Sequence, residues 1–130
     1  MTTPMSTTSS KAWALGVAIL SVAHIMVFIS VQVEAESLLF DLLSWCSPAI
    51  AAFISACLAP RDKILLGGSM ALPDAALVVV TNYLYQAQGF AVDFPGLWGG
   101  FTLLRATLIW DLIFCTAAAV AGSFLTRKRA

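Results

Sequence analysis

AWALGVAILSVAHIMVFISVQV, residues 12–33, is a run of 22 residues between Lys11 and Glu34 without one Lys, Arg, Asp or Glu. A helix rises ~1.5 Å per residue, so roughly 20 such residues cross the ~30 Å of hydrocarbon in a bilayer. The run is longer than the ~7–15 apolar residues of a signal peptide, and one Lys precedes it. Val33-Glu34-Ala35 looks like a cleavage site, but the length argues for a retained span.

The pattern recurs along the chain. Apolar runs cover residues 38–59, 64–87 and 101–126, each bounded by charges or turn residues. The chain of 130 residues is 60% hydrophobic and 11% charged, with a mean hydropathy of +0.91. Soluble domains carry about 25% charged residues. A chain this short has too much surface for its volume to hide so much apolar area in a core. Lipid offers the backbone no partners, so the spans must be helices. The expected fold is all-α: an integral membrane bundle of four transmembrane helices, forming one domain over residues 12–126.

The connections are polar. Glu34-Ala35-Glu36-Ser37 joins the first pair and Pro60-Arg61-Asp62-Lys63 the middle pair. Residues 88–100 form an outer loop holding Asp93-Phe94-Pro95-Gly96-Leu97-Trp98-Gly99-Gly100. Its Pro and Gly predict irregular backbone, and its Trp suits the headgroup layer. Residues 1–11, rich in Ser and Thr, read as a disordered cytoplasmic tail, and residues 127–130 as a basic one. Lys11, Arg61, Lys63, Arg127, Lys128 and Arg129 fall on one side of the four-span arrangement, against Arg105 alone near the other. The positive-inside rule then places both termini in the cytoplasm. Glu34, Glu36 and Asp93 face outward. A bacterial inner membrane fits the short loops and the basic tail.

Seven basic and seven acidic residues cancel, so no net field points to nucleic acid. Cys46, Cys57 and Cys115 all lie in apolar runs without a C-x-x-C pair, which reads as buried reduced cysteines.

Few polar residues lie deep in the spans. Centring each span on the midplane puts His24, Asp74 and Asp111 near mid-membrane in spans 1, 3 and 4. Asp41, Asn82 and Arg105 fall in an outer layer. Ionisable groups at depth cost several kcal/mol unless paired or hydrated, which makes each a candidate for function. Three- and four-residue steps join Asp111 to Thr107, Cys115, Ala118 and Gly122, and Asp74 to Gly67, Ala71, Val78, Thr81 or Asn82, and Tyr85. Span 2 offers Ser44, Ser47 or Pro48, Ala51 and Ser55, and span 1 offers Gly16, Ser21, His24 and Gln32. Such small or polar stripes should face the bundle interior.

Each residue also has a purely structural reading. His24 can bond a neighbouring helix. A protonated Asp74 can satisfy the carbonyl that Pro73 frees. Arg105 is expected to snorkel outward and pair with Asp41 or Glu36. One His with two Asp is a poor zinc signature, a single His cannot bracket a haem, and no cofactor is expected. Spans 2 and 4 share a faint pattern, Phe40-Asp41-Leu42 against Trp110-Asp111-Leu112. A duplicated hairpin would make Asp41 equivalent to Asp111 and His24 to Asp74.

No H-E-x-x-H, G-x-S-x-G or phosphate loop is present. The motif-free chain therefore reads first as a non-catalytic accessory, assembly or regulatory component, with a membrane protein as its partner. The alternative is a small homo-oligomeric transporter or channel for protons or cations, using Asp111, Asp74 and His24. A homodimer is expected there, because four helices enclose little room. A membrane enzyme acting on a lipid-soluble substrate would use the same acids.

Overall fold

The computed structural model describes residues 7–33 and 38–127. Five helices follow in order: α1 Thr7–Gln32, α2 Leu38–Leu58, α3 Lys63–Gly68, α4 Ala71–Ala87 and α5 Gly96–Arg127. There are no strands among the described residues. α3 and α4 form one span, so four helices are long and apolar enough to cross a membrane. Glu34, Glu36, Lys128, Arg129 and residues 1–6 lie outside the described residues. Lys11, Arg61, Lys63 and Arg127 share one end, where Arg61, Lys63 and Arg127 line a common cleft.

The packing is inverted relative to a soluble protein. The buried cluster is Leu20, Ala51, Ala52, Met70, Ala71 and Cys115, while Val22, Ile25, Ile29, Ile109, Ile113 and Phe124 are exposed. This is the pattern expected of helices surrounded by lipid, where large apolar groups would gain nothing by hiding and close packing of small residues would hold the helices together. α5 packs against α2, α3 and α4, and α1 packs mainly on α2. Gly67 sits against Ala119 and the Ala52 carbonyl, so α3 meets α2 and α5 backbone to backbone.

Two prolines shape the interior. A proline lacks the N–H for the carbonyl four residues back, and its ring crowds that carbonyl. For Pro73 that residue is Ser69, and the third span breaks there. The Met70 N–H turns to the Gly67 carbonyl at 3.1 Å and the Leu72 N–H to Ser69 at 3.1 Å. The Ser69 hydroxyl donates to the Leu66 carbonyl at 2.7 Å and accepts from Trp13 Nε1 at 3.1 Å. The single straight span expected over 64–87 is therefore two helices, and Pro73 stands in the first turn of α4, where no N–H is required. For Pro48 the freed carbonyl is Ser44, approached by the Ser47 hydroxyl at 3.4 Å.

Two boundaries differ from expectation. α1 is already helical at Thr7, where a disordered tail was expected through residue 11. The first turns are docked: Ser9 and Ala12 are buried, and the Ser55 hydroxyl donates to the Ala12 carbonyl at 3.0 Å. Tertiary packing here overrides a polar composition. α5 starts at Gly96, so residues 96–100 are helix instead of irregular loop. Pro95 directly precedes it, and the Gly96 N–H donates to Gln86 Oε1 at 2.9 Å. A Cβ at Gly99 would fall 2.4 Å from the Phe94 carbonyl carbon, so glycine lets the first turn fold back on the loop.

Asn82 Nδ2 donates to the Phe94 carbonyl at 3.0 Å and anchors that loop. Asn82→Ala is expected to cost about 1–2 kcal/mol, because it deprives the carbonyl of its closest donor. An SDS unfolding titration in mixed micelles checks this; a midpoint equal to that of the wild type contradicts it.

Candidate functional site

The small-or-polar stripes face inward in part, with Ser44 and Gln32 exposed against expectation. Ser47, Pro48, Ala51 and Ser55 of α2, Asp74 and Asn82 of α4, and Asp111, Cys115 and Gly122 of α5 are all buried. α1 packs through Ala12, Gly16, Leu20 and Ala23, and His24 follows at the edge of that face.

Three of the candidate residues come together. His24 Nε2 and Asp74 Oδ1 lie 2.8 Å apart, the side chains 13% and 5% exposed. A neutral or charged ring donates its N–H to the carboxylate; a protonated acid donates to a bare ring nitrogen. The same geometry holds the proton on either side. Asp111 of α5 lines the same cavity as Asp74, which brings the two carboxyls to one site. A hydrogen bond between two carboxyls requires a proton on one of them. Asp111 Oδ2 is buried and is the one such side-chain atom without a hydrogen-bond partner among the described residues.

The Pro73 break contributes to this arrangement. It puts Asp74 in the first turn of a helix beginning inside the bundle, where the positive end of the helix dipole favours a carboxylate. Discontinuous helices of this kind form ion sites in membrane transporters.

Two cavities flank the cluster. One, of about 390 Å³, is lined by His24, Thr81, Asn82, Tyr85 and Asp93. The other, of about 280 Å³, is lined by Asp74, Asp111, Thr107, Trp45 and Trp110. Ser44, Val78, Phe94 and Leu103 belong to the walls of both, so the two adjoin. The first leads from the loop end of the bundle to the His24 ring. The second lies over the two acids. His24, Asp74 and Asp111 do not form a metal-holding group among the described residues.

The outer layer departs from expectation. Arg105 and Asp41 do not pair; the one ion pair among the described residues is His24–Asp74. The reason is the course of α2. Every residue from Leu38 to Cys46 is exposed or half-buried, and burial begins at Ser47. Asp41 therefore sits on an outward turn, while Arg105 lines a separate cleft with Trp98 and Phe101. Glu36, the other expected partner, lies outside the described residues. Asn82 bonds backbone and not a charge. Asp41 is exposed where Asp111, its suggested equivalent, is buried. Of the cysteines, Cys115 is buried, Cys57 half-buried and Cys46 exposed, so the reading of all three as buried is corrected.

Sequence reasoning missed Trp45, Trp110 and Phe94 as walls. Their signal was present in part: Trp110 adjoins Asp111, and Trp45 lies three residues before Pro48. No known protein family matches the chain, and neither a curated protein nor a solved structure is similar to it.

Proposed function

We propose that this is an integral protein of a bacterial cytoplasmic membrane, its basic end and both termini in the cytoplasm, which exchanges protons for a monovalent cation through His24, Asp74 and Asp111. The observation that carries this reading is the run of three ionisable groups from three helices, with one buried acid oxygen unpartnered. A core that merely needed holding together would be better served by apolar residues of similar volume. Two dissociable protons over the three groups leave the cluster neutral, as the low dielectric demands. The proton between His24 and Asp74 has a ready path toward the cavity at the loop end. Four helices leave a narrow path, so two copies would line it.

The accessory role expected from the motif-free sequence draws on a different feature. Leu97, Trp98 and Phe101 stand exposed at the loop end. That patch also suits anchoring in the headgroup layer, which needs no partner.

The test uses vesicles containing the full chain, a trapped pH dye and an imposed pH gradient. The gradient is followed with the membrane potential clamped, alone and with monovalent cations added. The wild type is expected to collapse the gradient in at least one condition, and Asp74→Asn to hold it like empty vesicles. No collapse by the wild type under any condition overturns the proposal.

A further inference from the structure

We propose that the cavity between α2 and α5 binds a lipophilic monovalent organic cation, an alkyl- or arylammonium, which displaces one proton from the Asp74–Asp111 pair; this rests on the proton-exchange reading above. The floor of the cavity holds both acids, and Asp111, 7% exposed, has its Oδ2 without a partner. The walls are aromatic: Trp45, Trp110 and Phe94. Trp110 is held flat on Phe114, with ring centroids 5.7 Å apart and planes at 14°. Aromatic faces beside a buried carboxylate suit an ammonium ion, which the ring quadrupoles and the acid attract together.

Access sets the lipophilic character. Trp45 is 78% exposed and Trp110 58% exposed, both on the surface that faces hydrocarbon in a membrane. A ligand coming this way must partition into lipid. Beside the two acids only the Ser44 and Thr107 hydroxyls offer oxygen, and the rest of the wall is apolar, which favours an organic cation over an inorganic one that needs a full oxygen shell. The volume of about 280 Å³ lies at the low end for small-molecule sites, so one aryl or a few short alkyl groups fit.

The charges balance in the exchange. With two protons the cluster is neutral; losing one leaves a single negative charge, which one monovalent cation cancels. The Asp111 O–H bond breaks, the proton leaves by way of Asp74 and His24, and the ammonium pairs with the carboxylate. No bond to the ligand forms and nothing is oxidised or reduced. The other titratable groups facing the pair are His24 of α1 and Cys115 one turn along α5, with Tyr85 of α4 and Asp93 of the loop lining the adjoining cavity. α2 presents none, because Asp41 and Cys46 are exposed and Cys57 points to the Gly122 carbonyl near the other end of the bundle.

The probe is benzyltrimethylammonium, titrated into the purified full chain in lipid nanodiscs and followed by calorimetry. A pH indicator in weak buffer reads released protons. Saturable binding with about one proton released per cation is expected, while the neutral isostere neopentylbenzene should not compete. Asp111→Asn should abolish proton release and weaken binding more than tenfold. Trp45→Leu should weaken binding about 2- to 30-fold, the range of one cation–π contact, and Trp45→Phe less. Size-exclusion and circular dichroism profiles confirm that each variant is folded. If Asp111→Asn misfolds, unchanged affinity in Trp45→Leu overturns the proposal by itself. No saturable binding, or equal binding of the neutral isostere, overturns it too. Gradient collapse by the wild type without benzyltrimethylammonium binding overturns the ligand and keeps the proton reading. Binding with proton release but no gradient collapse keeps the ligand and overturns transport.

Discussion

Vesicles carrying Asp111→Asn are expected to hold an imposed pH gradient as long as empty vesicles do, although the protein inserts and folds. The amide has the shape of a protonated carboxyl. Its N–H can donate to Asp74 as the acid proton would, so the cluster keeps its geometry. What is lost is the dissociable proton. Stability should change by no more than about 1 kcal/mol, because one hydrogen bond replaces another and Oδ2 had no partner to lose. An inactive variant that unfolds at the wild-type SDS concentration therefore separates function from folding. Wild-type collapse of the gradient by Asp111→Asn contradicts the mechanism.

Gly67→Leu is expected to prevent the protein from folding, so that none accumulates in the membrane. The first side-chain carbon would lie 2.5 Å from the Ala119 Cβ and 2.7 Å from the Ala52 carbonyl oxygen. Neither neighbour can rotate away, since one is a methyl on backbone and the other is backbone itself. α3 would have to part from both α2 and α5. Gly67→Ala, with only the Cβ added, should cost about 1–3 kcal/mol in an SDS titration. Gly16→Ala is the contrast. Its Cβ meets Met70 Sδ and Cε at 2.9 Å, the far end of a flexible side chain. Met70 can shift, so the loss should be smaller. Equal midpoints for Gly67→Ala and the wild type would show that this contact does not set helix spacing.

The cost at Gly67 and the loss at Asp111 are linked through register. Gly67 fixes how far α3 slides along α5, and α4 continues from α3 through the Ser69–Met70 turn. Asp74 reaches Asp111 only if that register holds. Much of this was legible in the residues: the spans, the carbonyl that Pro73 frees, and the stripes that carry Asp74 and Asp111. The starts of α1 and α5 were not legible. Composition at residues 7–11 and 96–100 favours loop, and contacts from distant residues decide otherwise. Nor was the separation of Asp41 from Arg105, which depends on how far α2 stands off from the other helices.

What the sequence by itself determined is the set of four apolar helices, each long enough to cross a membrane. Hydrocarbon length and backbone hydrogen bonding admit nothing else, and both act within one segment. What only the tertiary structure decided is that His24, Asp74 and Asp111 meet. Their meeting depends on helix rotation and slide, set by contacts such as Gly67 against Ala119 and Gly122 against the Phe53 carbonyl. Those contacts join residues far apart in the chain, and no local pattern encodes their pairing.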